Sequence, residues 1–103
     1  RPTIHAYVAA KAGLHGLTRS MAAELGRHGI TINALAPGYF ATELNTALLE
    51  DNAFTAWVEA RNPAGRWEKP EELGGAAVFL ASDAAAYVNG HVLAVDGGLS
   101  TSL

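Results

Sequence analysis

The chain has 103 residues and a formal net charge of −3 at pH 7, and half of its residues are hydrophobic while 17% are charged. This length and composition indicate one small globular domain and exclude a disordered chain. The acidic balance argues against nucleic acid as a partner, the absence of cysteine excludes disulfides and thiolate metal sites, and no apolar run reaches the length of a membrane span.

The segment from His5 to Arg27 has the pattern of one long helix. Its apolar residues recur at spacings of three and four, and alanine, a strong helix former, is abundant. We expect the helix to end at Gly29, which can adopt the positive φ of a C-cap. Gly13 and Gly16 weaken the helix by roughly 1 kcal/mol each relative to alanine. Glycines inside a helix usually indicate close approach by another backbone or helix.

Near the start of this helix, Tyr7 and Lys11 are four residues apart. Positions i and i+4 lie on the same face of a helix. An ammonium group beside a phenol favours the phenolate, and such a phenol can exchange a proton with an alcohol or a carbonyl. The alternative is an ordinary amphipathic pair on a solvated helix face.

The rest of the chain alternates strand and helix patterns. Ile30 to Ala36 is predicted to be a strand buried on both faces of a parallel sheet, and Pro37-Gly38 ends it sharply. One or two short helices are expected between Thr42 and Arg61, and another from Pro70 to about Ser82. His91 to Val95 is predicted to be a second strand that ends in the Asp96-Gly97-Gly98 turn.

The predicted order is therefore helix, strand, helices, strand. A strand, a helical crossover and a second strand form a right-handed parallel unit, which places the chain in the α/β class. Two strands make a poor core, and a doubly wound parallel sheet would need more strands on the N-terminal side. Since the sequence begins at Arg1 rather than at methionine, we expect it to be a piece of a longer protein.

Taken together, these segments resemble the C-terminal half of a classical short-chain dehydrogenase/reductase. The elements that carry the resemblance are Tyr7-x-x-x-Lys11, Asn33 to Gly38, Pro63 to Leu73, Phe79 to Asp83, and Asn89-Gly90 through Gly97-Gly98. Within that family the stretches Ile4 to Tyr7, Pro37 to Asn45 and Pro63 to Trp67 are similar to the gluconate 5-dehydrogenase group. A related 3-oxoacyl-thioester reductase is an alternative.

The resemblance implies a Rossmann-like fold, with residues 1–103 as the C-terminal segment of a single domain, and an oxidoreductase that uses NAD or NADP. Tyr7 would be the general acid/base. Lys11 would bind the nicotinamide ribose and stabilise the phenolate. The loop that touches the nicotinamide and phosphate end of the cofactor is matched by Pro37, Gly38, Phe40 and Thr42. The substrate would be a sugar acid or ketone, such as gluconate or 5-ketogluconate.

The sequence departs from the family pattern in one large respect. The glycine-rich phosphate loop, the catalytic serine and the catalytic asparagine of the family have no match here and would precede Arg1. We therefore expect the chain alone to carry only part of an active site. A second alternative follows, in which the chain is an inactive remnant that persists as an oligomeric structural or interaction module.

Other polar and aromatic residues are interpreted as structural. Asn33 is expected to bond backbone between strands, Asp96 to form a turn, and Trp57 and Trp67 to pack; Thr42 could cap the helix that follows it. Arg66 is expected to pair with an acid at a subunit contact. Glu43 and Asn45 are weaker candidates for substrate contact, and so is His5. The four histidines have no metal-ligand spacing.

The family resemblance also implies a homo-oligomer. In the family, the helix that carries Tyr7 packs against its copy in a partner subunit, and the second strand with the helix before it forms another contact. A fragment has more apolar surface to cover, so its tendency to associate is greater. The compartment predicted for such a dehydrogenase is the cytoplasm.

Overall fold

A computed structural model describes residues 4–41 and 46–101 of the chain. The first element is α1, His5–Leu25, and a 3₁₀ turn, Gly26–His28, follows it directly. Gly29 closes this turn with φ of 74°, a conformation that favours glycine because it has no Cβ. The predicted long helix and its glycine C-cap are therefore confirmed.

The two strands are shorter than predicted. They are β1, Ala34–Pro37, and β2, Val92–Val95. Asparagine side chains explain the late start of β1. The Ile32 N–H donates to Asn89 Oδ1 at 2.9 Å, and the His91 N–H donates to Asn33 Oδ1 at 3.0 Å, so side chains replace the first bonds of the strand ladder.

The β1–β2 pair is a two-stranded parallel sheet. The Ala34 N–H donates to the His91 carbonyl at 2.9 Å, and the Gly38 N–H donates to the Val95 carbonyl at 3.2 Å. Both partners advance by four residues between these bonds, which is the register of parallel strands. None of the residues of either strand is buried. The prediction of burial on both faces is thus wrong for this chain, because each strand of a two-stranded sheet is an edge strand.

Within the described residues, three more α-helices follow β1. They are α2, Thr46–Glu50, α3, Asn52–Arg61, and α4, Pro70–Ala81. The N-cap of α3 is Asp51, whose Oδ1 accepts the Phe54 N–H at 3.0 Å, a bond that satisfies one of the free donors at a helix start. Acidic residues in the first turn of α4 suit the helix dipole. The predicted helices are confirmed, with short 3₁₀ turns at Asp83–Ala85 and Leu99–Thr101.

Contacts divide the chain into two units, Arg1–Ala34 with Leu80–Leu93 and Leu35–Phe79 with Ala94–Leu103. In the first unit the buried residues within the described ranges are Thr18, Ala22 and Ala85. In the second they are Val58 and Asn62. Each unit thus has a very small core. Of the helices that the structure describes, none is long and apolar enough to cross a membrane.

Candidate functional site

Tyr7 and Lys11 come together on the first half of α1. The Lys11 Nζ lies over the Tyr7 ring, 5.5 Å from its centroid. This distance is within the range of a cation–π contact and follows directly from the i, i+4 spacing on a helix. The predicted placement of the two side chains on one face is therefore confirmed.

The Tyr7–Lys11 pair is accessible to a ligand. Tyr7 is 62% exposed, so its phenol can meet a molecule from outside the helix. The Lys11 ammonium group lies on the same face, so a phenol and a positive charge are presented side by side. Such an arrangement can give a proton to a carbonyl oxygen or take one from an alcohol.

The bend at Pro37 and Gly38 lies in the second unit. The Gly38 N–H is shared between the Val95 carbonyl at 3.2 Å and Glu68 Oε2 at 3.3 Å. A Cβ placed on Gly38 would lie 3.0 Å from both Cα and Cβ of Asp96. Only glycine therefore fits at position 38 without a shift of neighbouring atoms, because Asp96 lies too close for a Cβ.

The segment after the bend pairs with a single residue from the loop before α4. The Glu68 N–H donates to the Tyr39 carbonyl, and the Ala41 N–H donates to the Glu68 carbonyl, both at 2.8 Å. These bonds form a parallel bridge between Phe40 and Glu68. Thr42, the last predicted cofactor contact, lies outside the described residues, as do Glu43 and Asn45.

Charged side chains surround a small cavity in the second unit. Its volume is about 100 Å³, and its lining includes Arg66, Glu68, Glu72 and Asp96. Burial raises the pKa of Glu68, and the Gly38 N–H opposes that effect. For Glu72, the hydrogen bonds from the Arg66 guanidinium and then from the Lys69 N–H lower the pKa to about 2.

Arg66 and Glu72 form a bidentate ion pair. Arg66 Nη1 lies 2.6 Å from Glu72 Oε1, and Arg66 Nη2 lies 2.7 Å from Glu72 Oε2. The two parallel bonds are the geometry that guanidinium and carboxylate prefer. The prediction that Arg66 pairs with an acid is therefore confirmed, and the acid, Glu72, belongs to the same chain.

Asp96 forms the turn that the sequence predicted. Its Oδ1 accepts the Gly98 N–H and its Oδ2 accepts the Ser100 N–H, both at 3.0 Å. Burial raises the pKa of Asp96, but the hydrogen bonds from Ser100 and Gly98 outweigh it, and the net shift is downward. Asp96 thus remains a carboxylate that orders the chain after β2.

The aromatic residues pack together, as predicted for the two tryptophans. Tyr39 meets Phe54, Trp57 and Trp67 in edge-to-face contacts, with ring centroids 5.6 to 6.1 Å apart. Phe54 also contacts both tryptophans. The indole N–H of Trp67 is buried and has no hydrogen-bond partner among the residues that the structure describes. Each such ring pair contributes about 0.5–1.5 kcal/mol beyond its buried area, so the cluster stabilises the region around Tyr39.

Two asparagines connect the segments of the first unit. Asn33 Nδ2 donates to the Val88 carbonyl at 2.9 Å, which together with its bond to His91 confirms its structural role. Asn89 Nδ2 donates to the Ala22 carbonyl at 3.0 Å. Asn89 thereby ties α1 to the segment before β1, a role that the sequence pattern did not reveal.

Glu68 is the other residue that sequence reasoning missed. Its hydrogen bonds reach Gly38, Tyr39 and Ala41, about thirty residues away in the chain. The only sequence signal is its place just before Lys69-Pro70, where a loop enters α4. Within the described ranges, 4–41 and 46–101, no three His, Asp or Glu side chains are grouped so that they could bind a metal ion.

Comparison with known proteins gives consistent matches along the chain. The family model described as enoyl-(acyl carrier protein) reductase matches residues 1–100. Gluconate 5-dehydrogenase of Gluconobacter oxydans is 56% identical over 103 residues, which are 100% of this chain and 40% of that protein. The 5-keto-D-gluconate 5-reductase of Escherichia coli is 58% identical over 99 residues, which are 96% of this chain and 39% of that protein.

A solved structure shows the same fold. The crystal structure of a gluconate 5-dehydrogenase from Burkholderia cenocepacia, in complex with NADP and tartrate, matches with a TM-score of 0.92 and 54% identity. The match covers 100% of this chain and 40% of that one. The chain therefore spans about 40% of the length of these relatives. The predicted Rossmann-like α/β class is confirmed.

Proposed function

This chain belongs to the short-chain dehydrogenase/reductase family, and on that premise we propose that the protein is an NAD(P)-dependent oxidoreductase that interconverts a secondary alcohol and a ketone. Residues 1–103 would form the C-terminal segment of its single catalytic domain. The proposed substrate is a sugar acid of the gluconate and 5-ketogluconate type. The names and identities of the relatives from Gluconobacter oxydans and Escherichia coli support that choice.

The observation that carries the proposal is the Tyr7–Lys11 pair. A phenol and an ammonium group lie on one helix face with the cation 5.5 Å from the ring centroid, and the phenol is accessible. An exposed pair of this kind could also be an ordinary surface contact. The pair occurs in a chain of this family, and later in the same sequence a strand ends in a Pro-Gly bend. Both facts favour the catalytic interpretation.

The donor groups in the chain fit a nicotinamide cofactor. Lys11 offers an ammonium donor for ribose hydroxyls, and Tyr7 offers a phenol beside it. Pro37, Gly38 and Phe40, with Thr42 after them, form the proposed loop at the nicotinamide and phosphate end. When bound, the nicotinamide supplies the hydride acceptor or donor.

The proposed work of the chain is proton transfer. During oxidation the Tyr7 oxygen accepts the proton of the substrate hydroxyl, and during reduction it returns a proton to the ketone oxygen. The Lys11 ammonium would stabilise the phenolate form of Tyr7, which precedes proton uptake in the oxidation and follows proton release in the reduction. General acid–base catalysis of this kind contributes roughly 10²–10⁴-fold to a rate.

Two alternatives remain distinct from this proposal. The first is a 3-oxoacyl-thioester reductase; the description of the matching family model, enoyl-(acyl carrier protein) reductase, names an enzyme that also acts on acyl thioesters but at a carbon–carbon double bond. The second is a non-catalytic structural or interaction module, for which the chain that spans about 40% of the length of these relatives would be sufficient. In the second case the Tyr7–Lys11 pair would be retained from an ancestral enzyme but would take no part in catalysis.

Cofactor titration separates these functions. NADPH and NADH are titrated into this chain and into the full-length protein that contains it, and their fluorescence is followed. Gluconate, 5-ketogluconate and a 3-oxoacyl thioester are then tested on the full-length protein with the cofactor that binds. The proposal predicts saturable binding and turnover of the sugar acids. Turnover of the thioester alone would favour the reductase, and a folded protein that binds neither cofactor would favour the module.

We also propose that the protein forms a homo-oligomer in the cytoplasm. Leu14 and Leu17 on α1 are 50% and 53% exposed, and Val78 on α4 is 70% exposed. A Cβ on Gly13 or Gly16 would meet nothing within 4 Å in this chain. The exposed leucines offer an apolar surface, and the neighbouring glycines, which have no side chain, leave space for a helix of another subunit to pack against it. Light scattering tests the assembly, and a compact monomer at high concentration would contradict it.

A further inference from the structure

Glu68 contacts four consecutive residues after β1 through both its main chain and its side chain. The main chain pairs with Tyr39 and Ala41 at 2.8 Å on each side of the Phe40 bridge. The side chain turns back, and its Oε2 accepts the Gly38 N–H at 3.3 Å. One residue thus fixes the backbone from Gly38 to Ala41, which includes two of the proposed cofactor contacts.

The charged form of the Glu68 side chain is electrostatically disfavoured at this position. Burial disfavours its charge, and Glu72 and Asp96 repel it, while the Gly38 N–H and Arg66 favour it. Among the described residues the Gly38 N–H is the backbone donor that favours this carboxylate, at a donor–acceptor distance of 3.3 Å. The same N–H is shared with the Val95 carbonyl, so the two acceptors together define its direction.

We propose that Glu68 is a positioning residue, whose side chain sets the orientation of the Gly38 amide and thereby the shape of the Pro37–Gly38 bend. The consequence for cofactor binding rests on the proposed function, because the bend is the segment that would take the nicotinamide. A glutamine at position 68 keeps an oxygen acceptor of the same length, whereas an alanine leaves the amide with Val95 alone.

The first test follows the Gly38 amide by ¹⁵N NMR during a pH titration of the unaltered protein. The Gly38 resonance is expected to shift with a midpoint above the usual glutamate value, because burial raises the pKa of Glu68. The neighbouring carboxylates Glu72 and Asp96 have lowered pKa values and titrate in a more acidic range. A Gly38 resonance that does not titrate in the expected range overturns the proposal.

Variants then test whether the Glu68 carboxyl group causes the pH-dependent shift of the Gly38 resonance. Glu68→Gln and Glu68→Ala should both abolish the Gly38 shift, while the control Glu71→Ala, an exposed glutamate on α4, should leave it unchanged. Persistence of the shift in Glu68→Gln overturns the proposal. The measurement on the unaltered protein decides the question even where Glu68→Ala does not fold.

NADPH affinity gives the functional readout. Glu68→Ala should raise the Kd by roughly two- to tenfold, which corresponds to the free energy of one hydrogen bond. Glu68→Gln should keep most of the affinity of the unaltered protein. If the unaltered protein binds NADPH and Glu68→Ala binds it equally well, the positioning role is wrong. If the unaltered protein binds no cofactor, the proposed function fails, and the Gly38 titration alone decides whether Glu68 orients the bend.

Discussion

The Tyr7–Lys11 pair and the Pro37–Gly38 bend obtain their geometry in different ways. α1 has 21 residues, of which only Thr18 and Ala22 are buried, so the pair depends on helix periodicity and little else. The bend depends on Glu68, Val95 and Asp96, which lie far from it in the chain. The local geometry of the pair should therefore tolerate many substitutions, while that of the bend should not.

This difference also explains which features the sequence predicted. Tyr7 and Lys11 could be placed on one face from their spacing alone, since the helix repeat needs no tertiary contact. Gly38 was correctly marked as the end of a strand, but its close neighbour Asp96 is 58 positions later in the sequence.

The largest predicted effect is on stability, for Gly38→Ala. The new Cβ would lie 3.0 Å from the Asp96 backbone, and overpacking of this kind costs about 1–3 kcal/mol of unfolding free energy. Urea unfolding followed by circular dichroism measures the change.

Gly13→Ala is the matched control, because it makes the same substitution on α1. A Cβ there meets nothing within 4 Å, and alanine should stabilise the helix by about 1 kcal/mol. A loss of unfolding free energy in Gly38→Ala together with a gain in Gly13→Ala would support the comparison. Both variants are measured at a dilution at which light scattering shows a monomer, so that no partner helix lies beside Gly13, and a destabilising Gly13→Ala under that condition would contradict the comparison.

A smaller loss is expected for Asn89→Ala. The variant removes the acceptor for the Ile32 N–H and the donor to the Ala22 carbonyl, two bonds that together contribute about 1–2 kcal/mol. Asn89→Asp keeps the acceptor but places a carboxylate oxygen near the Ala22 carbonyl, so it should destabilise as well. Thermal unfolding of both variants checks this, and unchanged midpoints would show that α1 does not depend on Asn89.

The smallest effect is expected for the exposed Arg66–Glu72 pair, and it depends on pH. The lowered pKa of Glu72 means that its contribution to stability is fully present above 4.5, the usual glutamate pKa, and is lost as the pH falls toward about 2. Glu72→Gln should remove this part of the acid dependence and change the midpoint only slightly at neutral pH. Melting temperatures of both proteins across this range test it, and identical acid profiles would contradict the assignment.

Much of the fold follows from local signals, and the rest depends on side chains that are distant in sequence. The long helix, its Gly29 cap and the helix that begins at Pro70 were predictable from spacing and turn chemistry. The first strand was predicted to begin at Ile30, four residues early, because its β-branched residues gave no sign that Asn33 and Asn89 would take the first backbone bonds.

The candidate site divides in the same way. Periodicity predicted the Tyr7–Lys11 contact, whereas nothing local indicated that Glu68 would reach the Gly38 amide. The partner of Arg66 was also missed, although Glu72 is only six residues away. Residues in irregular loops have no repeat from which side-chain direction can be read, and their contacts emerge only in the folded chain.

The central claim is that the Tyr7 oxygen transfers a proton during alcohol oxidation, and turnover of Tyr7→Phe in the full-length protein that contains this segment tests it most directly. The matched control is Tyr87→Phe, since Tyr87 is fully exposed in the connection before β2. We predict that Tyr7→Phe lowers kcat by roughly 10²–10⁴-fold while the Kd for NADPH stays nearly constant, and that Tyr87→Phe changes neither. Turnover by Tyr7→Phe at the rate of the unaltered protein would contradict the account.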